Sequence, residues 1–183
     1  FIDNNSFIYT SERDGYKHIY LYNINGKLIH QVTNGNFDVT QFLGYNPKTK
    51  TIFYQSAESS AINRDIYSIK TNGKNKTLLS GKQGTNNAVF STGCQYFINY
   101  FTDANTPTIV TLHNSNGKLI RTLEDNNEFV TMLQNFEISK KEFFTFKTTQ
   151  NIELNGYILK PVNFDTTKKY PVLITQYSGI FLW

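Results

Sequence analysis

Three stretches of the chain set apolar, aromatic and β-branched residues around a polar turn in the same layout. Ile19-Tyr20-Leu21-Tyr22 leads to Asn25-Gly26-Lys27, Ile66-Tyr67-Ser68-Ile69 to Asn72-Gly73-Lys74, and Ile109-Val110-Thr111-Leu112 to Asn116-Gly117-Lys118. A second β-rich run follows the turn, at 28–32 in the first unit and 119–123 in the third. Asn-Gly readily supplies the two positive-φ residues of a type I′ turn, so each unit predicts a hairpin. A further strand is predicted ahead of every hairpin, at 6–10, 51–55 and 95–100, and one more ahead of the second and third, at 39–43 and 87–90.

Four strands recurring about every 45 residues are the mark of a β-propeller blade, in which neighbouring blades bury one another's faces. An antiparallel sandwich with similar turns is the alternative, and the recurrent Asn-Gly-Lys favours blades. Three units fall short of the roughly four to eight that close a ring, so further sequence is expected to complete it. An open piece would leave strand edges bare, which natural β proteins avoid.

After Glu124 the layout changes. Asp125-Asn126-Asn127-Glu128 is a polar break, and 129–133 reads as a short helix or strand. Strands are then predicted at 142–148 and 154–159 around a turn at 149–151, with Pro161 ending the second because it cannot donate to a ladder. A boundary near Asn135 divides the chain into a propeller portion, 1–135, and a second portion, 136–183. In the latter, Val172-Leu173-Ile174 predicts a buried strand that delivers Tyr177 and the small-residue turn Ser178-Gly179. That is how an α/β sheet presents a loop at its carboxyl edge.

Composition adds limits. Hydrophobic residues make up 39% and charged residues 17%, ordinary for a globular protein, and 15% aromatics favour strands over helices. The formal charge of +4 is spread over dispersed basic residues, of which only Arg13, Arg64 and Arg121 are Arg, so it has no nucleic-acid footprint. One cysteine, Cys94, excludes an internal disulfide and any multi-cysteine metal site, and its turn-like setting predicts an inert thiol. No apolar run is long enough to span a membrane. The chain starts at Phe1 without Met, so its N-terminus is expected to have been removed.

Ser11-Glu12-Arg13-Asp14-Gly15-Tyr16-Lys17-His18-Ile19-Tyr20, Leu123-Glu124-Asp125-Asn126 with Met132-Leu133-Gln134-Asn135, and Asn163-Phe164-Asp165 with Lys168-Lys169-Tyr170-Pro171 stand in one order along the chain. On these segments the chain resembles the dipeptidyl peptidase IV family of the prolyl oligopeptidase group of serine peptidases. The resemblance covers essentially its whole length. It implies a mostly β fold: the last, roughly three, four-stranded blades of a β-propeller, then the first strands of an α/β-hydrolase domain. It also implies removal of N-terminal dipeptides, commonly after Pro or Ala, without a cofactor or metal. Peptides would be the partners, a homodimer is suggested for the complete enzyme, and the periplasm or cell envelope for a bacterial member.

The resemblance assigns Tyr177 to the oxyanion hole, where a preorganised donor is worth about 3 kcal/mol or more as negative charge develops. The other parts of such a site are missing from the sequence. No Gly-x-Ser-x-Gly elbow occurs, and His18, His30 and His113 all precede the predicted hydrolase strands, so none fits the serine, acid, histidine order. The chain alone is therefore expected to be inactive. Ser11 to Gly15 reads as a turn with solvated charges, and Glu58, Arg64 and Asp65 as a surface loop or a channel lining. Ile180-Phe181-Leu182-Trp183 departs from the family pattern, which continues with Pro and polar residues. A propeller-type binding module without catalysis, or a tripeptidyl or acylaminoacyl peptidase, is the competing expectation.

Overall fold

The computed structural model describes residues 1–175. Its first three sheets are antiparallel meanders in chain order. The first holds β1 (Ser6–Ser11), β2 (His18–Asn23) and β3 (Leu28–Gln31). The second holds β4 (Val39–Asn46), β5 (Thr51–Ser56), β6 (Asp65–Lys70) and β7 (Thr77–Leu78), and the third β8 (Thr85–Phe90), β9 (Tyr96–Thr102), β10 (Ile109–Asn114) and β11 (Leu119–Glu124). These are the strands the apolar pattern predicts, in a partial propeller of one three-stranded and two four-stranded blades.

The blades stack through two cores. Ile52 and Tyr54 of β5, with Tyr67 and Ile69 of β6, pack against Ile19, Leu21 and Val32 of the first blade. Phe53 and Ile66, on the opposite face of the same strands, pack against Ala88, Cys94 and Phe97 of the third. Alternation in β5 therefore buries both sets, and every residue from Thr51 to Ser56 is buried. β11, with no blade over it among the described residues, is exposed along its length. Each buried Phe, Ile or Leu contributes about 1.5–3 kcal/mol, so these two interfaces dominate cohesion. An aromatic run crosses the second interface: Phe53 lies 4.4 Å from Phe90, Phe90 4.9 Å from Phe97, and Phe97 stacks on His113 at 4.9 Å.

The Asn-Gly turns differ from the type I′ expectation. Gly26, Gly73 and Gly117 have φ of 77°, 76° and 83°, whereas none of Asn25, Asn72 and Asn116 has positive φ. Gly26 N–H donates to the Asn23 carbonyl and Asn23 N–H to that of Lys27, each at 3.0 Å. The register shifts beside this turn, between Leu21 and Tyr22. A type I turn followed by a glycine bulge accounts for both facts and needs one left-handed residue instead of two.

Beyond the third blade a short helix, α1 (Asn127–Leu133), precedes a hairpin of β12 (Lys141–Lys147) and β13 (Glu153–Leu159). The segment 129–133, read as a short helix or strand, is thus helical. Phe143, Phe146, Tyr157 and Ile158 of the hairpin are exposed. The expected buried strand at 172–174 is not formed: Val172, Leu173 and Ile174 are 77%, 90% and 84% exposed and outside any strand. A strand needs a ladder partner for its N–H and C=O groups, and no described residue supplies one here.

Candidate functional site

Tyr177, the one side chain with an expected chemical role, lies outside the described residues. The other polar groups singled out in the sequence are placed, and two of them, His30 and Asp65, reach from one blade to the next.

Two of these joints are built alike. The carbonyl of Lys17, just before β2, accepts the N–H of Val39 at 2.7 Å; the carbonyl of Arg64, just before β6, accepts that of Asn86 at 2.8 Å. Lys17 and Arg64 each stand nine residues ahead of their turn glycine, and in both cases the donor is the first or second residue of the next blade's first strand. Beside each joint a hydroxyl ends the outer run of the unit. Thr33 Oγ1 accepts from Ile19 N–H at 2.9 Å and lies 3.2 Å from His18 Nδ1. Ser80 Oγ accepts from Ile66 N–H at 3.2 Å and donates to Asp65 Oδ1 at 2.9 Å.

His18 is buried, and its Nε2 donates to the Gly35 carbonyl at 3.0 Å. His30 Nε2 donates across the first interface to the Thr71 carbonyl at 2.6 Å. His113 lies between the Gly117 carbonyl, 3.0 Å from Nδ1, and the Thr111 hydroxyl, 2.9 Å from Nε2. All three have structural partners.

The loop and channel readings of Asp65 need correction. Asp65 is buried, receiving Ser80, Ser59 and, at 3.4 Å, Asn86 Nδ2. A carboxylate at this depth is tolerated because donors surround it. Glu58 pairs with Lys76, and the Arg64 guanidinium turns back onto the carbonyls of Ala61 and Asn63. The Ser11–Gly15 turn is exposed at 12–15, as expected for solvated charges; there the Arg13 guanidinium lies 4.7 Å above the Tyr20 ring and bonds the Tyr22 hydroxyl, and Gln31 donates to Asp14 at 2.6 Å. Cys94 is buried in the second core, where desolvation pushes its thiol up and leaves it less nucleophilic, in line with an inert cysteine. Among the described residues no three His, Cys, Asp or Glu side chains gather as metal ligands, and no helix is long and apolar enough to cross a membrane.

Sequence reasoning missed the asparagines. Asn86 is fully buried; its Nδ2 donates to the carbonyls of Arg64 at 3.1 Å and Lys82 at 3.0 Å, and its Oδ1 accepts from Asn99 at 3.0 Å. Gln55 crosses the same interface to the Asn86 carbonyl at 2.6 Å. At the end of the third blade, Asn126 Nδ2 donates to the Thr108 carbonyl at 2.5 Å, and Asn105 bonds both backbone groups of Lys141. Amide side chains interrupting strand-forming runs, as at Asn86 and Asn99, were the available signal.

This arrangement has relatives. The Dipeptidyl peptidase IV (DPP IV) N-terminal region family matches residues 1–108. Dipeptidyl peptidase 4 of Arthroderma otae is 30% identical over 177 residues, covering 94% of this chain and 23% of its own length. That of Trichophyton rubrum is 30% identical over 176 residues, with the same coverage. The crystal structure of Porphyromonas gingivalis dipeptidyl peptidase 4 superposes with a TM-score of 0.88 at 46% identity, covering 95% of this chain and 25% of that one. The chain thus spans about a quarter of the length of these relatives. With the repeated blade joints and this match over 1–108, the chain belongs to the dipeptidyl peptidase IV family.

Proposed function

We propose that this chain is the part of a serine exopeptidase where the propeller, 1–135, passes into an α/β-hydrolase domain starting at 136–183. The complete enzyme removes N-terminal dipeptides with Pro or Ala at the second position. Similarity to a bacterial dipeptidyl peptidase 4 along 95% of the chain carries this reading, because it extends past the blades into the hairpin and the segment beyond it. The exposed aromatic faces of β12 and β13 support it too, since a hairpin that opens a larger domain has its covering layers elsewhere in sequence.

In this reading Tyr177 donates its hydroxyl to the tetrahedral oxyanion, and the serine, acid and histidine come from sequence outside these 183 residues. The blades bound the chamber and limit which peptides reach the hydrolase. Peptides are the substrates, a homodimer is the assembly, and an envelope location fits a bacterial member.

The test is turnover by the full-length protein of chromogenic Xaa-Pro and Xaa-Xaa-Pro peptides. Rapid release from Xaa-Pro alone is expected. Release from Xaa-Xaa-Pro alone would make the protein a tripeptidyl peptidase, and release from neither would overturn the peptidase reading.

A further inference from the structure

We propose that Asn105 and Asn126 form a clasp at the end of the third blade, and that Asn105 is a positioning residue that sets how the β12–β13 hairpin stands on the propeller. The consequence for catalysis rests on the proposed function above; the clasp itself does not.

Thr108 stands nine residues ahead of Gly117, the place that Lys17 and Arg64 hold relative to Gly26 and Gly73. At those two earlier places a backbone N–H of the next blade fills the carbonyl. At Thr108 the donor is the Asn126 side chain. Asn126 is the N-cap of α1, with left-handed backbone, φ 57° and ψ 27°, and no side-chain bond to its own helix. An N-cap asparagine ordinarily serves the first helical N–H groups. Here its amide is spent on the blade, so the joint continues in side-chain form where the chain leaves the repeat.

Asn105 makes the second half of the clasp. Its Oδ1 accepts the Lys141 N–H at 2.9 Å and its Nδ2 donates to the Lys141 carbonyl at 3.1 Å. A primary amide is the side chain that matches a peptide group in both directions, so Asn105 acts as one residue of a strand ladder for the first residue of β12. Its loop is braced for this: Asp103 accepts the Asn105 N–H at 2.8 Å and the Thr106 hydroxyl at 2.9 Å, and Thr102 donates to the Thr106 carbonyl at 3.0 Å. Among the described residues, these two bonds of Asn105 are the hydrogen bonds from the hairpin to the blades. Neither buried core includes a residue of β12 or β13. Orientation at the junction therefore depends on one amide.

The experiment compares Asn105→Ala, which removes both bonds, and Asn105→Asp, which keeps the acceptor and sets a carboxylate against the Lys141 carbonyl, in the full-length protein. Hydrogen exchange over 141–147 should accelerate about tenfold in both, with 19–22 and 66–69 unchanged, as expected when a local restraint and not the core is lost. The kcat/KM for an Xaa-Pro dipeptide substrate should fall about tenfold, because a small displacement of the hydrolase on the propeller misplaces a substrate held by both. Hydrolysis of a small acyl ester, which needs only the hydrolase, should stay the same. Unchanged exchange at 141–147 in Asn105→Ala would overturn the clasp. Unchanged dipeptide turnover, or loss of ester and dipeptide turnover together, would overturn the positioning role. If the unaltered protein cleaves no dipeptide, the proposed function fails and the exchange data alone decide the clasp.

Discussion

The N–H of Asn86 donates to the carbonyl of Arg64 at 2.8 Å, and the side-chain Nδ2 of the same asparagine donates to the same carbonyl at 3.1 Å. Backbone and side chain of one residue thus fasten the second blade to the third, at the place where the Val39 N–H donates to the Lys17 carbonyl at 2.7 Å and the Asp38 carboxylate accepts the Lys17 N–H at 2.7 Å to join the first to the second. Asn86→Ala would leave the Lys82 carbonyl and the buried Asn99 amide without their partner. A loss of about 2–4 kcal/mol is expected, read as a lower urea midpoint. A loss below about 0.5 kcal/mol would show that the joint needs only the backbone bond.

The turn glycines are unequal despite equal geometry. Gly26 and Gly73 share φ near 77° and 76°, but a Cβ at Gly26 meets nothing within 4 Å, whereas one at Gly73 would stand 3.2 Å from the Val32 carbonyl of the preceding blade. At Gly117 it would stand 3.0 Å from the Leu79 carbonyl. Left-handed strain of about 1 kcal/mol is common to all three, and the close approach adds to it only at the latter two. Thermal unfolding of the 183-residue chain should rank Gly26→Ala as the mildest change and Gly117→Ala as the most severe.

Burial of the stacked pair Tyr54 and Tyr67, with ring centroids 5.6 Å apart, resists ionisation of both phenols. Desolvation is the largest cause, and it pushes Tyr67 from the ordinary 10.0 up to about 12. A phenol whose folded value is raised is fully protonated below its unfolded value in both states. Above that value the unfolded chain loses the proton first, so stability should fall between pH 10 and about 12. Near-ultraviolet absorbance should show these phenols ionising together with unfolding and not before it.

The Tyr54 hydroxyl is buried without a hydrogen-bond partner. Tyr54→Phe keeps the ring stack and removes that unpaired group, so stability should stay level or rise by up to about 1 kcal/mol. Chemical denaturation decides it. A clear loss would mean that a partner, such as a bound water, had been removed with the hydroxyl.

If the proposed function holds, Tyr177→Phe in the full-length protein removes only a hydroxyl. It should lower kcat about 100-fold or more while leaving the melting temperature in place. Unchanged kcat would remove Tyr177 from the oxyanion site.

The blades were legible because their causes are local. The short apolar run within Thr51–Ser56 and the β-branched runs around Asn-Gly pairs give strand, hairpin and period without any distant contact, and the order of short segments carries the family resemblance. The turn type was misread because Asn-Gly is compatible with two hairpin geometries, and the bulge in the ladder selects between them.

What the sequence by itself determined is the strand order, the three-unit repeat and the change of pattern after Glu124. Tertiary structure decided which polar side chains are buried and what they join. Asp65 looks like a loop or channel acid until Ser80 and Asn86 close around it, and Asn105 is an ordinary turn residue until Lys141 is brought beside it. It also decided that 172–174 forms no strand among the described residues. Apolar character is a property of the residues, but a strand exists only where another strand takes its hydrogen bonds.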